Sequence, residues 1–585
     1  MKKIYLSAVF FVALSAGAQN LNPTVSVTRD YEGKLMEVHK PSMAMFVPDS
    51  LHRFDLDFDY SVFANPYKGA YDFKPYVLEM RPDAEPYSGR KLYLKAGAGY
   101  QLRPMLDFVW EPQLKTPKFK MDIYASHHSY IGDYKNIGLN SDNKLVSMGN
   151  AGNGYDMYSN AGINGQADLN KAKLSFDAGY VGIHTKFGGN ATGYNAAEAG
   201  FRAKSENDAD TYFYYDVDFR YHGANQGIGD GVAAGSRSLR MNDIDFNVTL
   251  GPVMHRYHSI VADFGVGLSY YRGALATDVG TAYITPKYVL NKNRWRLHAG
   301  PKFSFNISDR DSAEALNTNK GILIYPDVYI GFEAVRNYMN LYFKAEGGDY
   351  RNPYKDMKEK FHFLLPYSKM SNNSVVQADF ALGFNGNICS RFRYDIRAGF
   401  RSFEAMPFDV VLGDTSYSPH LYSTGWDYYD GTAVYSEIRL QWESKDFVLD
   451  SRFSVNDTRL KNRKNVDYLC FEPAKFSGFV SGKYNWKKRI FAGISAEFAS
   501  RRDGRMTLIY NDAAGMPDIT FSAARIPGWM NLGVYAEFAF TRKLSFWLRG
   551  DNLLNADIQR VPLYTEGGIG ATVGICLNLE FLLYL

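Results

Sequence analysis

Over the last sixty residues, apolar and polar side chains alternate with a period of two. Leu532, Val534, Ala536, Phe538 and Phe540 interleave with Asn531, Tyr535 and Glu537. After Thr541, Arg542 and Lys543 the alternation restarts, with Leu544, Phe546 and Leu548 set against Ser545, Trp547, Arg549 and Asp551. A final run places Ile569, Ala571, Val573, Ile575, Leu577, Leu579 and Phe581 opposite Gly570, Thr572, Gly574, Cys576, Asn578 and Glu580. Strands that are apolar on one face only predict the wall of a membrane β-barrel, with lipid outside and water inside. A one-residue slip would carry Glu537, or Glu437 and Arg439, into lipid, at up to roughly 2 to 4 kcal/mol for a basic residue at the midplane. The register is therefore well specified.

Short polar turns recur near Leu114, Asn170, Asn207, Arg256, Lys292, Asn337, Ile388, Lys445, Lys487 and Arg542. Each interval between these ten turns is long enough for an upward strand, a loop rich in Gly, Asn, Asp and Tyr, and a downward strand. With two strands before the first turn (91–100 and 104–111) and two after the last (544–551 and 569–581), the expected total is about 22 antiparallel strands. Aromatic residues border the turns: Trp295, Trp442, Tyr484, Trp486 and Phe540 form an interface girdle. Short turns belong to the periplasmic side of an outer-membrane barrel and long loops to the outside.

Residues 1–18 combine Lys2 and Lys3, an apolar run and the small-residue end Ala16-Gly17-Ala18, the pattern of a secretory signal cleaved between Ala18 and Gln19. Mean hydropathy is −0.31 and no apolar stretch beyond the signal reaches the length of a spanning helix, which excludes a helical membrane protein. The formal net charge is +4, of which Lys2 and Lys3 carry two, so nothing points to nucleic acid. Tyrosine is abundant (44, against 7 Trp), which suits interface belts and aromatic loops better than a compact soluble core. Cys389, Cys470 and Cys576 are too widely spaced for a metal knuckle; they read as unpaired residues, with a disulfide between two of them left open.

Residues 19–90 differ from the rest, being interrupted by Pro23, Pro41, Pro48, Pro66, Pro75, Pro82 and Pro86. They read as a short periplasmic or lumenal segment: either an arm that enters the lumen or docks a partner, or a linker along the rim. The expected domains are thus a signal (1–18), this segment (19–90) and a transmembrane barrel (91–585).

Two sets of residues are candidates for function. Glu437, Arg439, Asp450 and Arg452, then Glu537, Arg549, Asp551 and Glu580, are expected to face the lumen, as a selectivity surface or as a mutually neutralising ladder that keeps the interior hydrated. In an expected surface loop, 403–430, Tyr417, Tyr422, Trp426, Tyr428 and Tyr429 stand beside Asp414, Asp427 and Asp430, a combination that grips sugars or peptides or simply packs the loop. A second expected loop, 131–155, is rich in Gly, Asn and Ser. Enzymatic chemistry finds no support: His127 and His128 point to opposite strand faces, His255 and His258 fall at a turn, and neither a nucleophile motif nor a phosphate-cradling Gly loop is present. No cofactor is expected.

The stretch Ile526-Pro527-Gly528-Trp529-Met530-Asn531-Leu532, followed by the run from Leu544 through Asp551-Asn552-Leu553-Leu554-Asn555 and by Gly567, Gly568 and Gly570, resembles the end of a TonB-dependent receptor barrel. The resemblance implies twenty-two strands, in agreement with the count above. It also implies a globular plug, for which residues 19–90 are too few, so a plug-less member is expected. Thr24-Val25-Ser26-Val27-Thr28 resembles the short segment by which the family engages TonB, and equally suits an edge strand. The chain ends on Tyr584-Leu585 where such barrels usually end on an aromatic residue. A barrel this wide has an aqueous lumen, so infolded loops, the N-terminal arm or a partner are expected to restrict it.

The resulting expectation is solute transport across the outer membrane of a Gram-negative cell. The alternative is a non-transporting scaffold that anchors a multi-protein complex. Expected partners are outer-membrane lipids and envelope or surface-lipoprotein proteins.

Overall fold

The computed structural model describes residues 92–112, 118–169, 171–187, 190–205, 213–228, 238–254, 257–275, 278–308, 321–336, 338–366, 373–388, 391–414, 421–461, 469–511 and 517–579. The expectations for the signal and the Ala18–Gln19 cleavage, the 19–90 segment with its missing plug, and Thr24 to Thr28 lie outside these residues, as do Tyr417, Cys389, His255 and Glu580.

Alternation in sequence becomes strand pairing throughout. The strands are β1 (Leu92–Tyr100), β2 (Met105–Trp110), β3 (Phe119–Leu139), β4 (Leu145–Leu169), β5 (Ala172–Phe187), β6 (Asn190–Ser205), β7 (Phe213–Ile228), β8 (Leu239–Met254), β9 (His258–Gly273), β10 (Val279–Lys292), β11 (Trp295–Ser308) and β12 (Ile322–Val335). They continue with β13 (Met339–Arg351), β14 (Asn373–Ile388), β15 (Phe392–Asp414), β16 (Leu421–Glu443), β17 (Phe447–Leu460), β18 (Phe476–Trp486), β19 (Ile490–Ala499), β20 (Arg502–Asn511), β21 (Pro517–Ile526), β22 (Trp529–Ala539), β23 (Leu544–Asp551) and β24 (Gly570–Leu579). One short helix, α1 (Tyr354–Lys360), is found among the described residues.

Successive strands pair antiparallel from β1 to β19; β19 then pairs with β22, and β22, β23 and β24 follow in order. β24 closes the ring on β1, from Leu92 opposite Leu579 to Tyr100 opposite Ala571. β20 and β21 form a hairpin outside this ring, attached to β15 by parallel pairing of Leu412 with Thr507, Gly413 with Leu508 and Asp414 with Ile509. The wall is therefore a closed antiparallel barrel of 22 strands, with no free sheet edge to satisfy in lipid. All ten expected turns fall between consecutive wall strands.

The faces sort as the alternation requires. On β24, Val573 is 58% exposed toward lipid while Thr572 and Cys576 are buried; on β23, Phe546 and Leu548 face out while Ser545 and Trp547 are buried inside. At the closing seam Trp547 lies across β24 and β1. A Cβ on Gly97 would come within 2.4 Å of its ring and one on Gly574 within 2.5 Å, so both positions require glycine.

Two expectations need correction. Residues 131–155, and 403–414 with 421–430, belong to the outer halves of long hairpins, β3–β4 and β15–β16, whose strands run to 21, 25, 23 and 23 residues. About 9 to 11 residues cross the bilayer. The remainder projects past it, where water bathes both faces and the lipid-imposed alternation ceases, leaving a polar and aromatic composition that reads as loop.

Candidate functional site

The lumen is lined by charge, and its charges are arranged in pairs. On β15, Arg397 donates to Glu437 of β16 at 2.7 Å, and Arg401 donates to Asp379 of β14 at 2.6 and 2.9 Å, with Tyr435 on the other Asp379 oxygen. On the far wall Arg202 forks onto Asp216 at 2.8 and 2.7 Å, and Arg220 stands beside Asp218. These side chains line a cavity of about 1280 Å³ running from Asp177 and Glu198 on one wall to Arg452 on the other.

The residues singled out from sequence form two separate groups. Glu437 pairs with Arg439 at 3.7 Å and Asp450 with Arg452 at 3.6 Å, on the adjacent strands β16 and β17. β18 and β19 intervene before the second group, where Arg549 donates to Asp551 at 2.8 Å and Arg103 lies 3.6 Å from the same carboxylate. Glu537 is buried and accepts from Tyr535 and Ser545. Of the aromatic set, Trp426 and Tyr428 are buried in the core described next, and Tyr429 packs on a neighbouring cluster. Tyr422 lies in β16, with its side chain outside the described set. The aromatic set is thus packing material at these described positions.

Among the described residues, the largest apolar core does not lie under the wall but across the outer end of the lumen. The described part of the connection from β13 to β14, residues 352–366, folds inward, and its helix α1 presents Tyr354 and Met357, with Phe361 and Leu364 beyond, to Ile183, Tyr194, Leu239, Met241 and Tyr271 of the surrounding strands and to Leu275 just after β9. Polar contacts fix it there. Tyr354 OH donates to Gln226 at 2.6 Å, Gln226 donates to the Leu364 carbonyl at 3.0 Å, and the Tyr354 N–H donates to Tyr271 OH at 3.0 Å. Lys355 pairs with Glu198, which also meets His222 Nδ1 at 2.9 Å; His362 sits 2.7 Å from Asp156. Arg351, at the root of the loop, shares one terminal nitrogen, Nη2, between both Asp245 oxygens at 2.7 and 2.8 Å and lies 3.7 Å from the buried Asp243. Lys358 is fully buried with its ammonium on the His362 and Leu364 carbonyls, and burial pushes it down to about 7.

The connection from β23 to β24 enters the same space. Arg560 pairs with Glu497 and Glu566 and stacks 4.8 Å over Trp529, while Gln559 donates to the Leu145 carbonyl at 2.9 Å. Tyr564 meets Phe361 and Phe363, so the two infolded connections touch. Pro353, Lys355 and Asp356 form part of the cavity boundary, which places α1 as its ceiling.

Sequence reasoning missed this cap. Its signal was present: Tyr354, Met357, Phe361 and Leu364 follow helical spacing just after Pro353, inside a connection otherwise read as loop. Cys470 and Cys576 are free thiols. Among the described residues no three His, Cys, Asp or Glu side chains are grouped to hold a metal; His127 meets Ser159, His128 meets Asp107 and His258 meets Tyr288.

No family model and no curated protein matches the sequence. Solved structures do. The copper transporter OprC aligns over 84% of this chain and 80% of its own, at 10% identity and a TM-score of 0.57. The FrpB iron transporter from Neisseria meningitidis (F3-3 variant) aligns over 84% and 81%, at 9% identity and 0.58. P. aeruginosa FpvA bound to heterologous pyoverdines aligns over 84% and 72%, at 11% identity and 0.58. At these identities the likeness is one of fold. The chain is an outer-membrane barrel with the 22-strand fold of the TonB-dependent receptors.

Proposed function

We propose that the protein carries a polar solute across the outer membrane through a lumen whose outer end is capped by the β13–β14 and β23–β24 connections. The observation that carries this reading is the juxtaposition of a charge-lined cavity with an apolar ceiling fixed by a few polar contacts. Paired charges keep the lumen wet without committing it to one sign of solute. A ceiling held by the polar contacts of Tyr354, Lys355 and His362 is a discrete element of the kind a gate requires. The neighbouring folds named as transporters support transport in general.

The test is uptake by cells with and without the gene, using small solutes of graded charge. Gene-dependent uptake supports the reading. No uptake, with stoichiometric envelope proteins co-purifying, overturns it in favour of the scaffold. Coupling to TonB through Thr24 to Thr28 belongs to the same proposal, and unchanged energised uptake after deletion of residues 19–27 would exclude it.

A further inference from the structure

Two neighbouring turns on the periplasmic rim carry five basic residues and no acid: Lys487, Lys488 and Arg489 between β18 and β19, and Arg542 and Lys543 between β22 and β23. The turns are adjacent because β19 pairs with β22, and the Ala539 N–H donates to the Arg489 carbonyl at 2.8 Å. All five basic residues are exposed. Lipid-facing aromatics flank them: Trp486 is 51% and Phe540 64% exposed, and the Lys487 ammonium lies 5.5 Å above the Trp486 ring. These rings mark the headgroup level of the bilayer.

The backbone supplies a second observation. In the turn Trp486-Lys487-Lys488-Arg489, closed by the Arg489 N–H on the Trp486 carbonyl at 3.0 Å, both central residues have positive φ, 52° and 56°. Asn and Gly are the usual occupants of such positions, because a Cβ is strained there. Two lysines therefore stand where conformation alone would select Asn-Gly, so the charge is retained against the local preference. The next turn along the rim, 443–447, sets Lys445 against Glu443 and Asp446 and does not extend the patch.

We propose that this patch is a binding site for the headgroup of an anionic phospholipid in the periplasmic leaflet. The lysines and arginines meet the phosphate, while Trp486 and Phe540 pack on the glycerol and upper acyl chains. A phospholipid is favoured over an acidic protein because Lys487 lies against the lipid-facing Trp486 ring and lipid-facing aromatics flank both turns.

The test is native mass spectrometry of the purified full chain in detergent, titrated with phosphatidylglycerol or phosphatidylcholine. The intact chain retains phosphatidylglycerol preferentially. The Lys487→Asn/Lys488→Gly variant, whose turn residues suit the backbone and so leave folding intact, loses about tenfold or more in affinity for it, since each basic residue at a lipid surface contributes about fivefold. Arg542→Gln/Lys543→Gln shows a loss of the same order. Equal retention of both lipids, unchanged binding by the variants, or patch-dependent binding of poly-glutamate in place of phosphatidylglycerol would each overturn the proposal.

Discussion

Tyr564 stands edge-on against Phe361, ring centroids 4.7 Å apart at 65°, and through this contact the connection before the last strand meets the connection after β13. The two residues are more than two hundred positions apart in sequence and belong to segments that cross the lumen from different sides. Their contact joins the two connections into one cap. Loss of either ring removes an aromatic pair worth about 0.5 to 1.5 kcal/mol beyond its buried area, and Phe361, itself buried, leaves a cavity on truncation.

Face assignment on the wall is testable one residue at a time. On β8, Phe246 is exposed toward lipid and Asn247 lines the cavity. Phe246→Lys is expected to destabilise folding into vesicles by roughly 2 to 4 kcal/mol, and Asn247→Lys by less than about 1 kcal/mol. Urea titration read by electrophoretic mobility checks both values; equal costs would mean the register is wrong.

Arg351 holds the base of the cap. Its guanidinium bonds Asp245 through one nitrogen and lies 3.7 Å from Asp243, whose side chain is only 4% exposed. Arg351→Ala strands a buried carboxylate, and the expected loss is about 3 to 5 kcal/mol. Arg351→Lys keeps the charge but loses the second nitrogen's bonds to Ser269 and the Leu268 carbonyl, and should recover part of it. Thermal unfolding of the reconstituted barrel gives the order: native, then lysine, then alanine.

Lys358 gives cap docking a pH dependence whose sign follows from the direction of its shift. Docked, its ammonium is pushed down to about 7 from an ordinary value of 10.5. Released into water it binds its proton up to the higher value. Between these values the released form holds more protons, so docking strengthens as pH rises from about 7 to 10.5 and is weakest below 7. The fraction of open channels is expected to be larger at pH 6 than at pH 9. Lys358→Met should remove that difference and favour the closed state at low pH. A pH response unaltered by the substitution would rule this group out.

The wall was legible in sequence because lipid enforces it. Every outward position from Leu532 to Val573 must be apolar and every turn must be polar, so period-two runs and the residues that break them mark strands and turns directly. The hairpins above the membrane were not legible, since 131–155 and 403–430 answer to no such constraint and their Gly, Asn and Tyr content reads as loop. The cap escaped for a different reason. α1 is only seven residues long, and the apolar side chains Tyr354 and Met357 in it and Phe361 and Leu364 after it acquire meaning only when Tyr194, Met241 and Tyr271 are known to face them. Trp426 and Tyr428 were visible as an aromatic group, but their role in packing depends on partners far away in the chain. Glu437, Arg439 and Arg452 of the expected lumenal set line the cavity, whereas the Arg397–Glu437 and Arg401–Asp379 pairs required the register.

The central claim is that the β13–β14 and β23–β24 connections close the outer end of the lumen, and planar-bilayer conductance of the purified protein tests it most directly. The native chain is predicted to be silent or to open briefly, and a variant in which residues 354–364 are replaced by a short Gly-Ser linker is predicted to give large, steady channels. Large steady channels from the native chain, or the same conductance from both, would contradict it.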